Sequence, residues 1–121
     1  MIFKVCFCFL VMDLILKKSG IEQFNDKLGV FANRDFKKGE IVVKYDLKPL
    51  TKKEFENLPK KEKQFTHVHW EQIYLYLPPA RYVNHSENPN TIQNLKERYD
   101  IASRDIQNGE EITTDSTNDD T

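Results

Sequence analysis

Residues 81–91 read RYVNHSENPNT, and this stretch decides how the rest of the sequence is interpreted. It contains three Asn, one His, one Ser and one Pro, and it closely follows the pair Pro78-Pro79. Short polar side chains favour turns because they hydrogen-bond to nearby backbone groups. Such a concentration fits either a plain surface turn or a backbone-shaped pocket for a small ligand, and the remaining sequence has to distinguish these two alternatives.

The size and composition are those of one globular domain. The chain has 121 residues, of which 39% are hydrophobic and 31% charged, which is ordinary for a soluble domain with a modest core. The formal net charge is −1. Because this provides no overall positive field, we expect no direct binding to nucleic acid.

The first segment, residues 1–12, reads MIFKVCFCFLVM, and its role stays open. It is too short to span a bilayer, so we expect no membrane insertion. A secretory signal, a buried or exchanged first strand, and an artefactual start upstream of Met12 are the alternatives. Cys6 and Cys8 are the only cysteines, and they are poorly placed to pair with each other. We therefore expect no metal site and a reducing compartment, cytoplasmic by default and nuclear in a eukaryote.

Short β-rich segments dominate the chain, with polar loops such as residues 20–27 between them. Thr51 and Glu54 fit a capping box that starts a helix, which Pro59 keeps short. His67 and His69 share one face of a strand, and without a third ligand nearby we interpret them as packing or surface residues. The predicted strands are 14–18, 28–36, 41–45, 91–95, 98–103 and 111–114, with two more in 67–77 around Glu71-Gln72.

One sequence pattern occurs twice. ANRDFKKGEI at residues 32–41 is echoed by ASRDIQNGEEI at residues 102–112. Each copy reads as a strand, a turn with a glycine free to adopt positive φ, and a following strand. The pattern predicts two similar corners in one β-rich fold, although chance reuse of a common turn gives the same echo.

Three blocks in order carry a family resemblance: residues 28–40 (LGVFANRDFKKGE), 81–90 (RYVNHSENPN) and 100–116 (DIASRDIQNGEEITTDS). Together they resemble the SET domain of protein lysine methyltransferases, over roughly residues 13–116, with 117–121 as a polar tail. The NHSxxPN and GEEIT blocks are the most specific. The resemblance implies a mainly β fold of several small curved sheets, one or two short helices and a C-terminal pseudo-knot threaded by the NHS segment.

The resemblance also implies a cofactor, S-adenosylmethionine. By resemblance, the Asn84 amide would meet the methionine end of the cofactor, and the His85 backbone would pair with the adenine edge. Pro89 and Asn90 would fix the loop of the knot, although Asn90 also fits a simple turn residue. The other residues expected beside the cofactor are Lys27, Leu28, Gly29, Arg81 and Tyr82.

The family prefers Gly-x-Gly where this chain has Lys27-Leu28-Gly29. Gly29 can still allow a close approach of the backbone to a ligand. The Lys27 side chain could crowd the site, or its charge could meet the cofactor carboxylate, and both alternatives stay open. Another departure is Glu87, where the family often has a cysteine, which in some members joins a downstream cysteine cluster that holds zinc. No cysteine follows it, so no zinc-bound segment is expected.

The largest departure concerns the catalytic tyrosine that follows the GEEIT block in the family. Ser116 stands at that position, and Thr114 stands at a second position that is often aromatic. Three explanations stay open: a degenerate domain with little activity, a substitute tyrosine, or a weak enzyme that relies on proximity alone. The candidates for a substitute are Tyr74, Tyr76 and Tyr99.

The resemblance implies a protein-lysine N-methyltransferase of minimal SET type. Its partner would be a protein substrate carrying a lysine, whose amine must be neutral to react. An alternative is a catalytically impaired SET-like module that binds cofactor or protein partners, and a third is a β-rich interaction domain without a ligand. A homodimer is a further candidate, with the first strand exchanged. Acidic residues that could line a channel for a basic tail are Glu87, Glu97 and Asp100.

Overall fold

The computed structural model of this protein describes residues 12–19 and 27–118. The expectations for residues 1–11, including both cysteines, lie outside the described residues, as do those for most of the 20–27 loop and for residues 119–121. The predicted domain boundaries stay predictions.

The described residues form ten short strands in three small sheets, with little helix. The first sheet has the order β1-β2-β10-β7, the second β3-β9-β8 and the third β4-β6-β5. All pairings are antiparallel except the one between β7 and β10. The strands are β1 (Leu14–Lys18), β2 (Leu28–Ala32), β3 (Ile41–Lys44), β4 (Leu47–Leu50), β5 (Thr66–His69), β6 (Gln72–Tyr76), β7 (Asn84–His85), β8 (Thr91–Asn94), β9 (Tyr99–Ala102) and β10 (Glu111–Thr114).

Four short helices complete the described fold, namely α1 (Lys52–Glu56), α2 (Lys60–Lys63) and two 3-10 turns at Ala80–Tyr82 and Ser116–Asn118. The capping box of α1 forms as predicted: the Glu54 N–H donates to the Thr51 hydroxyl (3.1 Å), and the Thr51 N–H donates to the Glu54 carboxylate (2.9 Å). The helix is short, as predicted, but it ends at Glu56 before Pro59 is reached. Pro59 instead precedes α2, which the sequence did not predict. The mainly β fold is confirmed.

Several boundaries differ from the prediction. The second strand ends at Ala32 rather than at residue 36. The Asn33 N–H still donates to the Asp13 carbonyl (2.8 Å), beside the start of β1, but further along Phe36 makes only an isolated bridge to Ile106. Strand β4 was missed because it contains Pro49, which lacks an N–H. It is an edge strand, where proline is tolerated. The hairpin of β5 and β6 turns at Trp70-Glu71, one residue earlier than predicted.

The two copies of the repeated pattern face each other, and the predicted pair of corners is therefore present. Gly39 and Gly109 have φ values of 91° and 94° in the two turns. The Gly39 N–H donates to the Ala102 carbonyl, and the Gly109 N–H donates to the Ala32 carbonyl, both at 2.8 Å. Each turn thus closes onto the start of the other copy, and each copy leads the chain from a strand of one sheet to a strand of the other.

The stretch that opened the sequence analysis lies against the C-terminal strand. Strand β7 runs parallel to β10, with Asn84 opposite Thr113. The Asn90 side chain, 2% exposed, donates to the Glu111 carbonyl (2.9 Å) and accepts from the Thr113 N–H (2.9 Å). The Thr91 hydroxyl donates to the Thr113 carbonyl (2.7 Å). These buried side-chain bonds fix the crossing of the two segments, and Asn90 is more than a surface turn residue.

Candidate functional site

A cavity of about 220 Å³ opens where the three sheets meet. Its wall combines residues distant in sequence: Lys27 precedes β2, Tyr76 ends β6, and Asn84 and His85 form β7. Ser116, from the C-terminal turn, also lines it. The other lining residues are Tyr45, Gln64, Phe65, His67, Ala80, Arg81, Val83, Gln93, Asp100 and Thr114.

A second cavity of about 230 Å³ shares part of this wall. Leu28 and Tyr82 line it, together with residues of the shared wall: Lys27, Gln64, Phe65, Arg81 and Asn84. Every residue predicted to lie beside the cofactor therefore lines one of the two cavities, except Gly29.

Gly29 makes room for a carboxylate. A Cβ built at this position would lie 2.6 Å from Glu111 Oε2, which is far inside van der Waals contact. The Glu111 carboxylate is held there by the Ser19 hydroxyl (2.9 Å) and by Asn84 Nδ2 (3.0 Å). Packing against Glu111 thus explains why residue 29 is a glycine. The predicted close approach of the Gly29 backbone to a cofactor stays a prediction.

The Asn84 side chain is fixed by the protein itself. Besides Glu111, its Nδ2 donates to the Leu28 carbonyl (3.2 Å), and the residue is 7% exposed. Both amide hydrogens are therefore engaged within the domain. This arrangement ties β7 to β2 and sets the position of Asn84 in the wall shared by the two cavities.

Arg81 is anchored in that same wall. Its guanidinium pairs with the Glu62 carboxylate of α2 (3.0 and 3.1 Å) and donates from Nε to the Tyr76 carbonyl (2.8 Å). It also stacks over the Phe65 ring at 4.3 Å. The hydrogen bond from Arg81 lowers the pKa of the Glu62 carboxyl below its ordinary value. Arg81 is thus a structural link between α2 and the cavity.

His85 holds the C-terminal turn. Its Nδ1 accepts from the Ser116 N–H (3.0 Å) and lies 3.2 Å from the Ser116 hydroxyl. In the same turn the Thr117 N–H donates to Asp115 (3.0 Å), which lowers the pKa of the Asp115 carboxyl. The position predicted for catalysis therefore lies on the cavity wall, bonded to a predicted cofactor residue.

The three candidate tyrosines differ in their position relative to the two cavities. Tyr76 lines the cavity, is 6% exposed, and has its hydroxyl 2.8 Å from His69 Nε2. Tyr74 and Tyr99 do not line either cavity, and the Tyr74 hydroxyl instead accepts from Arg98 Nη2 (3.3 Å). His69 is buried against Tyr76, in keeping with the predicted packing role.

Sequence reasoning missed Tyr45 as a site residue. It lines the cavity with its ring centroid 5.6 Å from that of Tyr76, and its hydroxyl donates to Asp100 Oδ1. Asp100 is only 2% exposed. Of the acidic residues considered for a channel, Asp100 lines this cavity, whereas Glu87 and Glu97 are exposed elsewhere. For Asp100 the sequence did contain a signal, because this charged residue occupies an inward position of a predicted strand.

Other site types were sought within residues 12–19 and 27–118. No group of three or more His, Cys, Asp or Glu side chains there is arranged to hold a metal ion. In the same residues no helix combines the length and hydropathy needed to cross a membrane.

A family model of the SET domain matches residues 27–115, well over half of the chain. The chain belongs to the SET-domain family. The resemblance that the sequence motifs carried is thereby confirmed.

This SET domain is 32% identical to part of the variant-silencing SET domain-containing protein of Plasmodium falciparum (isolate 3D7). The match covers 85% of this chain but 5% of that protein, so the chain spans about a twentieth of the relative's length.

Solved structures of methyltransferases share the fold of this SET domain. A candidate histone methyltransferase of Plasmodium falciparum has a TM-score of 0.66 at 21% identity, covering 88% of this chain and 94% of that one. Polycomb Repressive Complex 2 of Chaetomium thermophilum, in an autoinhibited conformation bound to S-adenosylmethionine, has a TM-score of 0.65 at 23% identity, covering 88% of this chain and 15% of that one. At these identities the likeness establishes the fold.

Proposed function

We propose that this SET domain binds S-adenosylmethionine and transfers its methyl group to the ε-amine of a lysine in a protein substrate. The observation that carries the proposal is the convergence of Lys27, Asn84, His85 and Ser116 on one cavity. Asn84 and His85 belong to the second block that carries the family resemblance, Ser116 belongs to the third, and Lys27 directly precedes the first. The S-adenosylmethionine bound in the Polycomb complex of the same fold adds support for the choice of cofactor.

The residues present fit such a cofactor in shape and charge. Each cavity is smaller than the ~300–1,000 Å³ typical of small-molecule sites, but the two share a wall and together reach that range. Lys27 is exposed at the rim of both, where its ammonium could pair with a ligand carboxylate. Backbone groups of β7 border the same space.

The chain's own residues would mainly position the reactants. When bound, the cofactor would supply an electrophilic methyl group on a sulfonium. Asn84, fixed by Leu28 and Glu111, would orient the methionine end, and the walls formed by Tyr45 and Tyr76 would confine a lysine side chain. Confinement in a narrow channel supplies alignment, which can contribute a large part of the rate of a displacement. We propose Tyr76 as the strongest substitute for the family tyrosine.

A second function, a catalytically impaired SET-like module, has its own support. Ser116 stands where the family tyrosine is expected, and its hydroxyl lies beside His85 Nδ1. In the described residues the neighbouring Thr114 hydroxyl is buried without a hydrogen-bond partner. Such a module would bind the cofactor or a lysine without fast methyl transfer.

Calorimetric titration of the purified chain with S-adenosylmethionine tests cofactor binding. We expect micromolar affinity for the wild-type chain. Asn84→Ala should weaken it at least tenfold, because it removes the side chain that bonds to Leu28 and Glu111 in the wall shared by the two cavities. Asn88→Ala is the matched control, since this exposed Asn lies outside both cavities. A folded sample that does not bind would reject the methyltransferase proposal. Binding without methyl transfer to lysine peptides would favour the impaired module.

A second copy of this chain remains a proposed partner. Among the described strands, β1 is at the edge of the first sheet, and Ile15 and Leu16 on it are 37% and 43% exposed. Edge strands with exposed apolar side chains pair readily with other chains. Sedimentation of the wild-type chain and of Leu16→Glu would test this, with a monomer in both samples rejecting the dimer.

A further inference from the structure

A groove of about 750 Å³ lies between β1, β3 and the pair Pro78-Pro79. Eight of its ten lining residues are apolar, and Asp13 and Lys44 are the other two. None of these ten residues lines either cavity of the candidate site. The groove is therefore a separate surface, and the proposed function gives it no role.

The groove concentrates exposed apolar side chains. Met12, Ile15, Leu16 and Ile41 line it and are 37–48% exposed. Within the described residues eight large apolar side chains are exposed, so half of them belong to this one groove. Single exposed apolar residues are normal, whereas a contiguous group of them marks a surface that another segment or molecule covers.

Strand β1 has the sequence of a strand covered on both faces. It begins with three consecutive apolar residues, Leu14, Ile15 and Leu16, and such runs are typical of strands without a solvated face. Leu14 is half-buried and packs against the core, but Ile15 and Leu16 are exposed. Strand β1 pairs with β2 along all five residues and, among the described strands, has no partner on its other edge. Proteins normally cover an apolar edge of this kind.

The chain itself supplies a segment that fits the groove. Residues 1–11 (MIFKVCFCFLV) lie outside the described residues and join the groove directly at Met12. Ten of the eleven are apolar, and Lys4 is the exception. An extended chain reaches up to about 3.3–3.6 Å per residue, so this segment can reach about twice the length of β1. It is therefore long enough to cross the groove.

The same segment has two distinguishable sides. In an extended conformation successive side chains alternate between two sides. The odd-numbered residues from 3 to 11 are three Phe and two Val, whereas the even-numbered side carries Lys4 and both cysteines, Cys6 and Cys8. The odd-numbered side therefore suits an apolar groove, and the even-numbered side keeps the one charge away from it.

We propose that residues 1–11 lie across this groove of their own chain, with the odd-numbered side chains against Leu16 and Ile41. A segment tethered at Met12 has an effective concentration of about millimolar, which favours it over the same segment of a second copy. Covering the groove braces the pair Pro78-Pro79, from which the chain turns at Ala80–Tyr82 into the wall of the candidate site. The inference is independent of the proposed function, because it requires no cofactor and no methyl transfer.

The test is a nuclear Overhauser experiment on the wild-type full chain labelled with ¹³C and ¹⁵N. We expect contacts from the ring protons of the three phenylalanines in residues 1–11 to the methyl groups of Leu16 and Ile41. The methyl groups of Val68, which is 40% exposed on the third sheet outside the groove, should show none. Missing contacts at Leu16 and Ile41, or equal contacts at Val68, would overturn the proposal.

A mixture of labelled and unlabelled chains separates contacts within one chain from contacts between two chains. Contacts within one chain support the proposal. Contacts found only between chains would overturn it and assign the groove to the exchanged segment of a second copy.

Urea unfolding of substituted full chains measures the same contact independently. Phe7→Ser should lower the folding equilibrium constant at least about tenfold, and Leu10→Ser, on the even-numbered side, less than about threefold. Ile41→Ser should reduce the effect of Phe7→Ser at least about threefold, whereas Val68→Ser should leave it unchanged. Equal effects of Phe7→Ser and Leu10→Ser, or strict additivity of Phe7→Ser with Ile41→Ser, would reject the proposal. The wild-type contacts decide the question if a variant does not fold.

Discussion

Phe36 and Ile106 exchange both of their backbone hydrogen bonds, each 2.8 Å long, and both side chains are 1% exposed. They occupy equivalent places in the two copies of the repeated pattern. This pair is an isolated bridge between the two corners, and its side chains enter the core with Val30, Val43 and Ile112. The repeat thus contributes to the core between β3 and β9 of the second sheet and β2 and β10 of the first.

Shortening Ile106 should destabilise the fold. Ile106→Ala leaves a cavity at the centre of the core, and we expect it to lower the free energy of unfolding by about 2–5 kcal/mol. Ile92→Ala is the matched control, because Ile92 is 56% exposed and its truncation should cost less than about 1 kcal/mol. Urea unfolding of both variants measures this, and similar losses in the two would contradict the assigned core.

Replacement by alanine should destabilise the fold for different reasons at Gly29 and at Gly39. Gly29→Ala pushes a Cβ into Glu111 Oε2, so we expect a loss of about 1–3 kcal/mol of stability. Gly39→Ala meets no atom but keeps a φ of 91°, and should cost about 1 kcal/mol. Adding Glu111→Ala should relieve the first penalty and leave the second unchanged. A double-mutant cycle in thermal unfolding measures the coupling, and strictly additive losses at Gly29 would refute the clash.

Local patterns predicted most of the strands. Alternation and the β-branched runs located β1, β3 and β10, and the capping box located α1. The errors came from tertiary context. Strand β4 contains Pro49, which is tolerated because β4 is an edge strand, and Phe36 was assigned to a strand although it forms an isolated bridge with Ile106 outside the described strands. Neither fact is encoded within a window of neighbouring residues.

The candidate site was predictable only where motifs marked it. The NHSxxPN block pointed to Asn84 and His85, and the cavity contains both. Asp100 was only one of three acidic candidates, and Tyr45, which directly follows β3, carries no motif. The two residues meet through the β3–β9 pairing. The register of that pairing depends on the whole fold, so one sequence could not reveal it.

Removing the Asn90 side chain should weaken the crossing of the NHS segment and β10. Asn90→Ala loses two buried hydrogen bonds and leaves the Thr113 N–H without this partner, so we expect a loss of about 2–4 kcal/mol. Asn94→Ala serves as a control on the more accessible β8, with a smaller expected loss. Hydrogen exchange of the β10 amides should accelerate in Asn90→Ala alone, and unchanged protection would argue against its role in the knot.

Acid should weaken the link between Glu62 and Arg81. The hydrogen bond from Arg81 lowers the pKa of Glu62 from an ordinary value of 4.5. A carboxyl with a lowered pKa stabilises the fold fully above its unfolded pKa, and this contribution disappears as the pH falls through the folded value. Glu62→Gln should therefore be less stable than wild type at neutral pH, and the difference should shrink below about pH 4.5.

Thermal unfolding over a pH series measures this difference. Glu56→Gln, which removes an exposed carboxylate from α1, is the matched control. A stability difference for Glu62→Gln that stays constant down to strongly acidic pH would show that the ion pair with Arg81 does not contribute.

The hairpin that carries Tyr76 stores backbone strain at its turn. Trp70 and Glu71 have φ values of 50° and 65°, and His69 pairs with Gln72, so two residues with positive φ form the loop. Such turns favour glycine or asparagine, because other residues are disfavoured in this region. Glu71→Gly should raise the free energy of unfolding by up to about 1 kcal/mol, whereas Glu56→Gly, at the last residue of α1, should lower it by less than about 1 kcal/mol. Urea unfolding compares the two, and a loss of stability in Glu71→Gly would mean that the Glu71 side chain contributes more than its backbone conformation costs.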